Sequence, residues 1–196
     1  MESYRIFLFY IVELWYNYLC FTESVLEMKS NMTGIERRTV CSGVNFSSIR
    51  DDRFKTIRMS VHFLWPLTKE TVSANSILPF LLSRASRKYP DYTKLNEHLA
   101  ELYGAVLDAN VQKLGDVQVL SVSASGIADR YSLKGERVSA ELAKLLCSIV
   151  FDPPLENGLF SAQGFNQEKR QMIEMLDSEF NDKRMYAKLK CEELMC

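Results

Sequence analysis

Histidine is the most common metal-ligating side chain, and this sequence has only two, His62 and His98. Two zinc-binding histidines on one helix are typically four residues apart, because side chains at i and i+4 share a face. These two are far apart in the sequence. His62 falls on the polar side of an alternating strand, and His98 on the polar face of a helix. Both are predicted to be surface side chains and not metal ligands.

The other reactive side chains form no recognisable catalytic motif. Glu97 and Glu101 are like charges at helical spacing, which is more typical of a solvated face than of an acid–base pair. Arg84, Arg87 and Lys88 form a small basic cluster, which fits either an acidic partner or an ordinary helix C-terminus. The sequence has no glycine-rich phosphate loop and no GxSxG nucleophile elbow.

Charge and cysteine usage limit the class of protein. The chain of 196 residues has a net charge of −1 and no block of lysine and arginine, so a nucleic-acid-binding surface is not expected. Its five cysteines are odd in number and include no CxxC pair, which favours free thiols in a reducing compartment, the cytoplasm. Cys147 lies on an apolar helical stripe and is predicted to be a core residue.

Residues 4–21 are strongly apolar and aromatic, but Glu13 and Asn17 interrupt them. A membrane-spanning helix needs about 20 largely apolar residues, so this segment is marginal in length. Three interpretations remain: a membrane anchor, an additional packing helix, or a start codon assigned too far upstream. The last is favoured, since Met28 and Met32 lie shortly before the first regular strand pattern. Membrane association is therefore not expected.

Periodicity predicts the elements that position these residues. Residues 35–42 and 54–65 fit strands, and the second alternates cleanly between apolar and polar side chains. Helical spacing follows within 71–89, and Asp91 is expected to cap a helix that ends at Gly104. Two strands, 105–113 and 117–125, precede a helix over 138–150 and a long charged helix over 166–193. The order β-β-α-α-β-β-α-α indicates an α+β domain with a mainly antiparallel sheet packed with helices.

Several segments together resemble the M16 (insulinase-like, pitrilysin) peptidase family. They read RFKTIRMSVHFLWPL, NSILPFLLSRASRKYPD, LNEHLAELYGAVLDANV, FDPPLENGLFSAQGFNQEKRQMIEML and NDKRMYAKLKCEEL. The most similar subgroup is the bacterial non-catalytic one associated with elongation-factor-P modification. The resemblance covers about residues 32–196 and implies an M16-like N-terminal domain, truncated at its C-terminus, that follows an uncertain extension over 1–31.

Active members of that family carry a zinc motif, H-x-x-E-H, on their first long helix. The resemblance places the motif either on the segment from Pro79 through Leu82 to Ser83, or three residues earlier on the segment from Ser76 to Phe80. Neither position offers an imidazole ligand or a carboxylate base, so no catalytic residue and no zinc cofactor are expected. Glu174 is the candidate for a remnant of the family's downstream ligand, although a solvated helix glutamate is the favoured interpretation.

The resemblance also implies a function that does not need zinc. In the family, a substrate peptide pairs with a strand at the sheet edge, and the equivalent strand here comprises Leu107, Asp108, Ala109, Asn110 and Val111. An ordinary sheet strand is the alternative. The expected function is a non-catalytic homologue that pairs with an active M16 subunit and binds extended peptide in a shared chamber. A zinc-dependent M16 metallopeptidase is the second hypothesis.

Overall fold

The computed structural model describes residues 35–195, which divide into a first unit ending at Pro154 and a second unit starting at Leu155. The apolar segment 4–21 and the predicted extension 1–31 lie outside the described residues. The first unit contains β1 (Ile35–Cys41), β2 (Val44–Ile49), β3 (Thr56–Pro66), α1 (Val72–Leu82), α2 (Tyr92–Glu101), β4 (Val106–Leu114), β5 (Val117–Ile127) and α3 (Val138–Phe151). The second contains α4 (Ala162–Ser178) and α5 (Lys183–Met195).

An antiparallel sheet with the strand order β3-β5-β4 forms the centre of the first unit. Val61, Val122 and Ala109 lie side by side in its register, so each strand presents alternate residues to the same face. We call the face of these three residues the inner face and the opposite one the outer face. On the inner face, Leu120, Val122 and Ala124 of the central strand are fully buried. The predicted α+β class with antiparallel pairing is confirmed.

Helices α1 and α3 cover the inner face. Gly126 lies on this face, and a β-carbon added there would come within 3.0 Å of the Leu142 side chain of α3. At the other end of β5, the Gln118 side chain donates to the carbonyl oxygen of Val72 in α1. The core includes apolar side chains of these helices and of β5, among them Ile77, Leu78, Leu81, Leu82, Leu120, Val122, Leu142, Leu145 and Ile149.

Local sequence explains most of these boundaries. The Asp91 carboxylate accepts from the backbone N–H of Lys94 and caps α2, as the sequence predicts. Strands β4 and β5 are joined through Gly115 and Asp116, and Gly115 has a φ of 59°, which a type II′ hairpin turn requires at its first central residue. In the described part of the chain, no helix is long and apolar enough to cross a membrane.

Two predictions about the elements are wrong. Strand β2 was not expected; it pairs with β1 in a separate two-stranded sheet, and the turn between them uses Gly43 at a φ of 81°. The long helix predicted over 166–193 is two helices. It breaks because the Asp182 carboxylate accepts from the backbone N–H groups of Arg184 and Met185 and so starts α5 as a new helix. The observed order therefore has three strands before α1 and three helices after β5.

Candidate functional site

The helix that would carry a zinc motif is α1, and its motif positions belong to the core. Pro79 and Leu82 are both buried, and Leu82 is only 1% exposed. Ser83 caps the end of the helix, where its hydroxyl donates to the carbonyl oxygen of Phe80 at 2.9 Å. These side chains supply no nitrogen or carboxylate donor for Zn²⁺, so the residues present do not fit that ion.

The alternative position of the motif likewise offers no free ligand for a metal ion. The Ser76 hydroxyl donates to the carbonyl oxygen of Val72 at 2.7 Å and accepts from Nε2 of Gln118 at 2.9 Å. Phe80, at the other end of this segment, is half-buried. Both possible positions therefore contain packed apolar groups or hydroxyls whose hydrogen bonds are made within the protein.

Gln118 is a buried polar residue beside α1 whose role was not predicted from the sequence. It is 2% exposed, and its Nε2 bonds both Val72 and Ser76 of α1. Its Oε1 atom is buried and has no hydrogen-bond partner within residues 35–195. The sequence contained a signal, because Gln118 shares its face of the strand with Leu120 and Val122. An amide buried beside α1 fixes the helix to the sheet through two directional bonds.

The predicted peptide-binding strand lies within β4, at one edge of the three-stranded sheet. Leu107, Ala109 and Val111 are half-buried on the inner face, and Asp108 and Asn110 are exposed on the outer face. An edge strand leaves alternate backbone N–H and C=O groups without a partner strand on one side. The geometry thus offers a template for an added strand, and peptide binding there stays a prediction.

The outer face of the sheet is polar around a row of serines on the central strand. Arg58 of β3 donates to the Ser123 hydroxyl at 2.9 Å and approaches Oδ2 of Asp108 on β4 at 3.4 Å. His62 bonds Ser121 through Nδ1 and Ser60 through Nε2, both at 2.8 Å. His62 therefore lies on the polar face, where the alternation puts it, with both ring nitrogens bonded to hydroxyls.

The remaining candidates are dispersed. His98 stacks on Tyr89 with ring centroids 4.6 Å apart and approaches Glu101 at 3.4 Å. Glu174, the proposed remnant ligand, is an exposed residue of α4 that pairs with Arg170 at 3.4 Å. Arg87 of the basic cluster pairs with Asp152 at 3.1 Å. Among residues 35–195, no three His, Cys, Asp or Glu side chains converge in a way that could hold a metal ion.

Cys147 is buried on α3, and this burial raises the pKa of its thiol to about 11. Because the thiolate is the nucleophile, we expect the native chain to resist alkylation by iodoacetamide at Cys147 at pH 8 while the exposed Cys191 reacts. Unfolding in urea should remove the difference in alkylation rate between the two cysteines. Peptide mass spectrometry after timed labelling measures both sites, and equal native rates would contradict the burial of Cys147.

Comparison with known proteins identifies relatives of this chain, two of which are described below. No protein-family model matches the chain. It is 29% identical over 161 residues to a Bacillus subtilis (strain 168) protein named "Probable inactive metalloprotease YmfF", a match that covers 82% of this chain and 38% of that protein. A crystal structure of a conserved protein from Enterococcus faecalis V583 matches with a TM-score of 0.73 and 35% identity over 80% of this chain and 36% of that one. The chain thus spans little more than a third of either relative.

Proposed function

We propose that residues 32–196 form an M16-like N-terminal domain of a non-catalytic peptidase homologue. In this proposal the protein pairs with an active M16 zinc peptidase subunit, and an extended peptide is bound in the chamber that the two enclose. The finer assignment is to the bacterial subgroup associated with elongation-factor-P modification, and its location is the cytoplasm. The Bacillus subtilis relative, whose name calls it a probable inactive metalloprotease, supports the non-catalytic part of this proposal.

The main support for the proposal is that helix α1 is a packing element of the fold. A catalytic zinc helix must direct two imidazoles and a carboxylate towards a site that water and substrate can reach. Here the corresponding face is occupied by Pro79 and Leu82 in the core, or by Ser76 bonded to Gln118. A helix packed in this way stabilises the fold and has no group with which to activate water.

Strand β4 supports the peptide-binding part. Addition of a peptide to a sheet edge uses backbone hydrogen bonds for affinity and alternate side chains for specificity. The chemistry of α1 is not needed for either contribution. A subunit without zinc can therefore hold an extended peptide while a partner subunit with the complete motif cleaves it.

Zinc stoichiometry of the full chain is the experiment that tests this proposal. The chain should be measured alone and together with the active M16 protein encoded nearest to it, by metal analysis, light scattering and peptide hydrolysis. We expect no bound zinc in the chain alone, and a one-to-one complex that carries one zinc and peptidase activity.

The matched control is the same complex in which the partner's catalytic glutamate is replaced by glutamine. Since the proposal assigns all chemistry to the partner, this control should retain the assembly and the zinc but lose hydrolysis. One tightly bound zinc per chain in the absence of the partner would overturn the proposal. In that case the second hypothesis, a zinc-dependent M16 metallopeptidase, would take its place.

A further inference from the structure

Strand β4 presents two chemically different rows of side chains to anything that pairs with its edge. Leu107, Ala109 and Val111 form the inner row, on the face against which α1 also packs. Asp108 and Asn110 belong to the outer row. A residue of an added strand lies on the same face as the β4 residue opposite to it. Peptide residues opposite the inner row therefore meet an apolar, half-buried surface, and the intervening ones meet polar groups.

Charges mark the two ends of this edge with opposite signs. Asp108 lies near the start of β4, on the outer face, and its side chain is 59% exposed. Lys113 is exposed near the end of the strand and belongs to the inner face, since it pairs in register with Gln118. Arg58 contacts one oxygen of the Asp108 carboxylate, and a carboxylate has about four acceptor sites, so that group retains capacity for a second cation.

The orientation of an added strand follows from the rest of the sheet. Both existing pairings, β3 with β5 and β4 with β5, are antiparallel. Antiparallel pairing is also slightly more stable per residue than parallel pairing. A peptide that continues this pattern runs with its N-terminal end beside Lys113 and its C-terminal end beside Asp108.

From these three features we infer that the β4 edge selects an extended peptide of the pattern acidic, polar, apolar, polar, apolar, basic, read from its N-terminus. The acidic side chain lies beside Lys113, the apolar ones beside Val111 and Ala109, and the basic one beside Asp108. This inference rests on the proposed function and specifies the substrate class of that same edge. Opposite charges across paired strands typically contribute a factor of roughly 1.4 to 5 in the binding constant per pair.

Two labelled peptides of identical composition and net charge test the pattern. One contains Glu-Thr-Val-Thr-Val-Lys and the other Lys-Thr-Val-Thr-Val-Glu, each flanked by glycines. The second peptide places like charges together when it binds antiparallel, and turning it parallel moves its valines to the outer face. Fluorescence anisotropy with the full chain, alone and in complex with the partner carrying the Glu-to-Gln change, should show roughly fivefold or greater preference for the first peptide at low salt.

A charge-exchange variant is the matched control. The combined substitution Asp108→Lys and Lys113→Glu keeps the net charge and should reverse the preference. Asp108→Asn alone, which is conservative in shape, should reduce it without reversal. Equal binding of both peptides by the unmodified chain would overturn the inferred pattern and leave the proposed peptide binding intact. If neither peptide bound to the chain or to the complex, the inferred pattern and the proposed peptide binding would both be overturned.

Discussion

Replacing Leu82 with glutamate is expected to destabilise the first unit strongly at pH 7. Leu82 is 1% exposed and lies among the apolar side chains of the core, so a carboxylate there has no counter-charge. An uncompensated buried charge costs about 3–5 kcal/mol, which is a large fraction of the free energy of unfolding of a typical domain, about 5–15 kcal/mol. Circular dichroism during urea denaturation measures the loss. Lowering the pH should reduce the penalty, because burial raises the pKa of such a carboxyl and its neutral form is tolerated better.

Two matched variants separate this charge effect from a general intolerance of α1 to substitution. Leu82→Met conserves volume and should cost less than about 1.5 kcal/mol. Ser83→His adds an imidazole at the partly exposed end of the helix and should be folded. Wild-type stability of Leu82→Glu would mean that this position of the motif is accessible to water. The assignment of α1 as a packing helix would then be wrong.

Leu142→Ala is expected to produce the second largest effect, a loss of about 2–5 kcal/mol in the free energy of unfolding. Leu142 is fully buried on α3, and its side chain covers Gly126 of the central strand. Replacing the isobutyl side chain by a methyl group leaves a cavity between helix and sheet that the surrounding backbone cannot fill completely. Urea denaturation followed by circular dichroism gives the value, and Leu142→Met serves as the volume-conserving control.

A double-mutant cycle with Gly126→Ala tests the contact itself. A β-carbon at position 126 would lie 3.0 Å from Cδ1 of Leu142 and 3.5 Å from Cβ of Ala105, so the single substitution should destabilise the wild-type protein. In the Leu142→Ala background the close contact is removed and the added methyl group enters the cavity. We expect a coupling energy of about 0.5–3 kcal/mol. Additive effects would show that the two residues do not share one packing site.

Much of the fold could be predicted because local patterns agreed with the tertiary structure. The alternation of β3, the Asp91 cap and the turn at Gly115 each have a local physical cause. Strand β2 was missed because its apolar alternation is short and is interrupted by the adjacent Ser47 and Ser48, and it forms by pairing with β1. The break before α5 was missed because an aspartate inside a charged segment resembles any solvated helix residue until its carboxylate is seen to cap a helix.

Some features of the candidate site could likewise be predicted from the sequence and others could not. The absence of zinc ligands around Pro79 could be read directly, since it depends on residue types alone. The alternation of β5 indicates which face Gln118 shares, but its hydrogen bond to α1 and the edge position of β4 depend on long-range pairing, which periodicity does not encode. The opposed placement of Asp108 and Lys113 likewise needed the register of β4 on β5.

The strand order β3-β5-β4 has a further consequence for the protein at high concentration. In the part of the chain that the structure describes, β3 and β4 are both edge strands, and open edges promote aggregation and strand exchange between copies. Asp108 and Lys113 disfavour such contacts. A strand that pairs with this edge in an arbitrary register often places a like charge beside one of them. A peptide bound at the β4 edge would therefore also protect that edge from pairing with another copy of the chain.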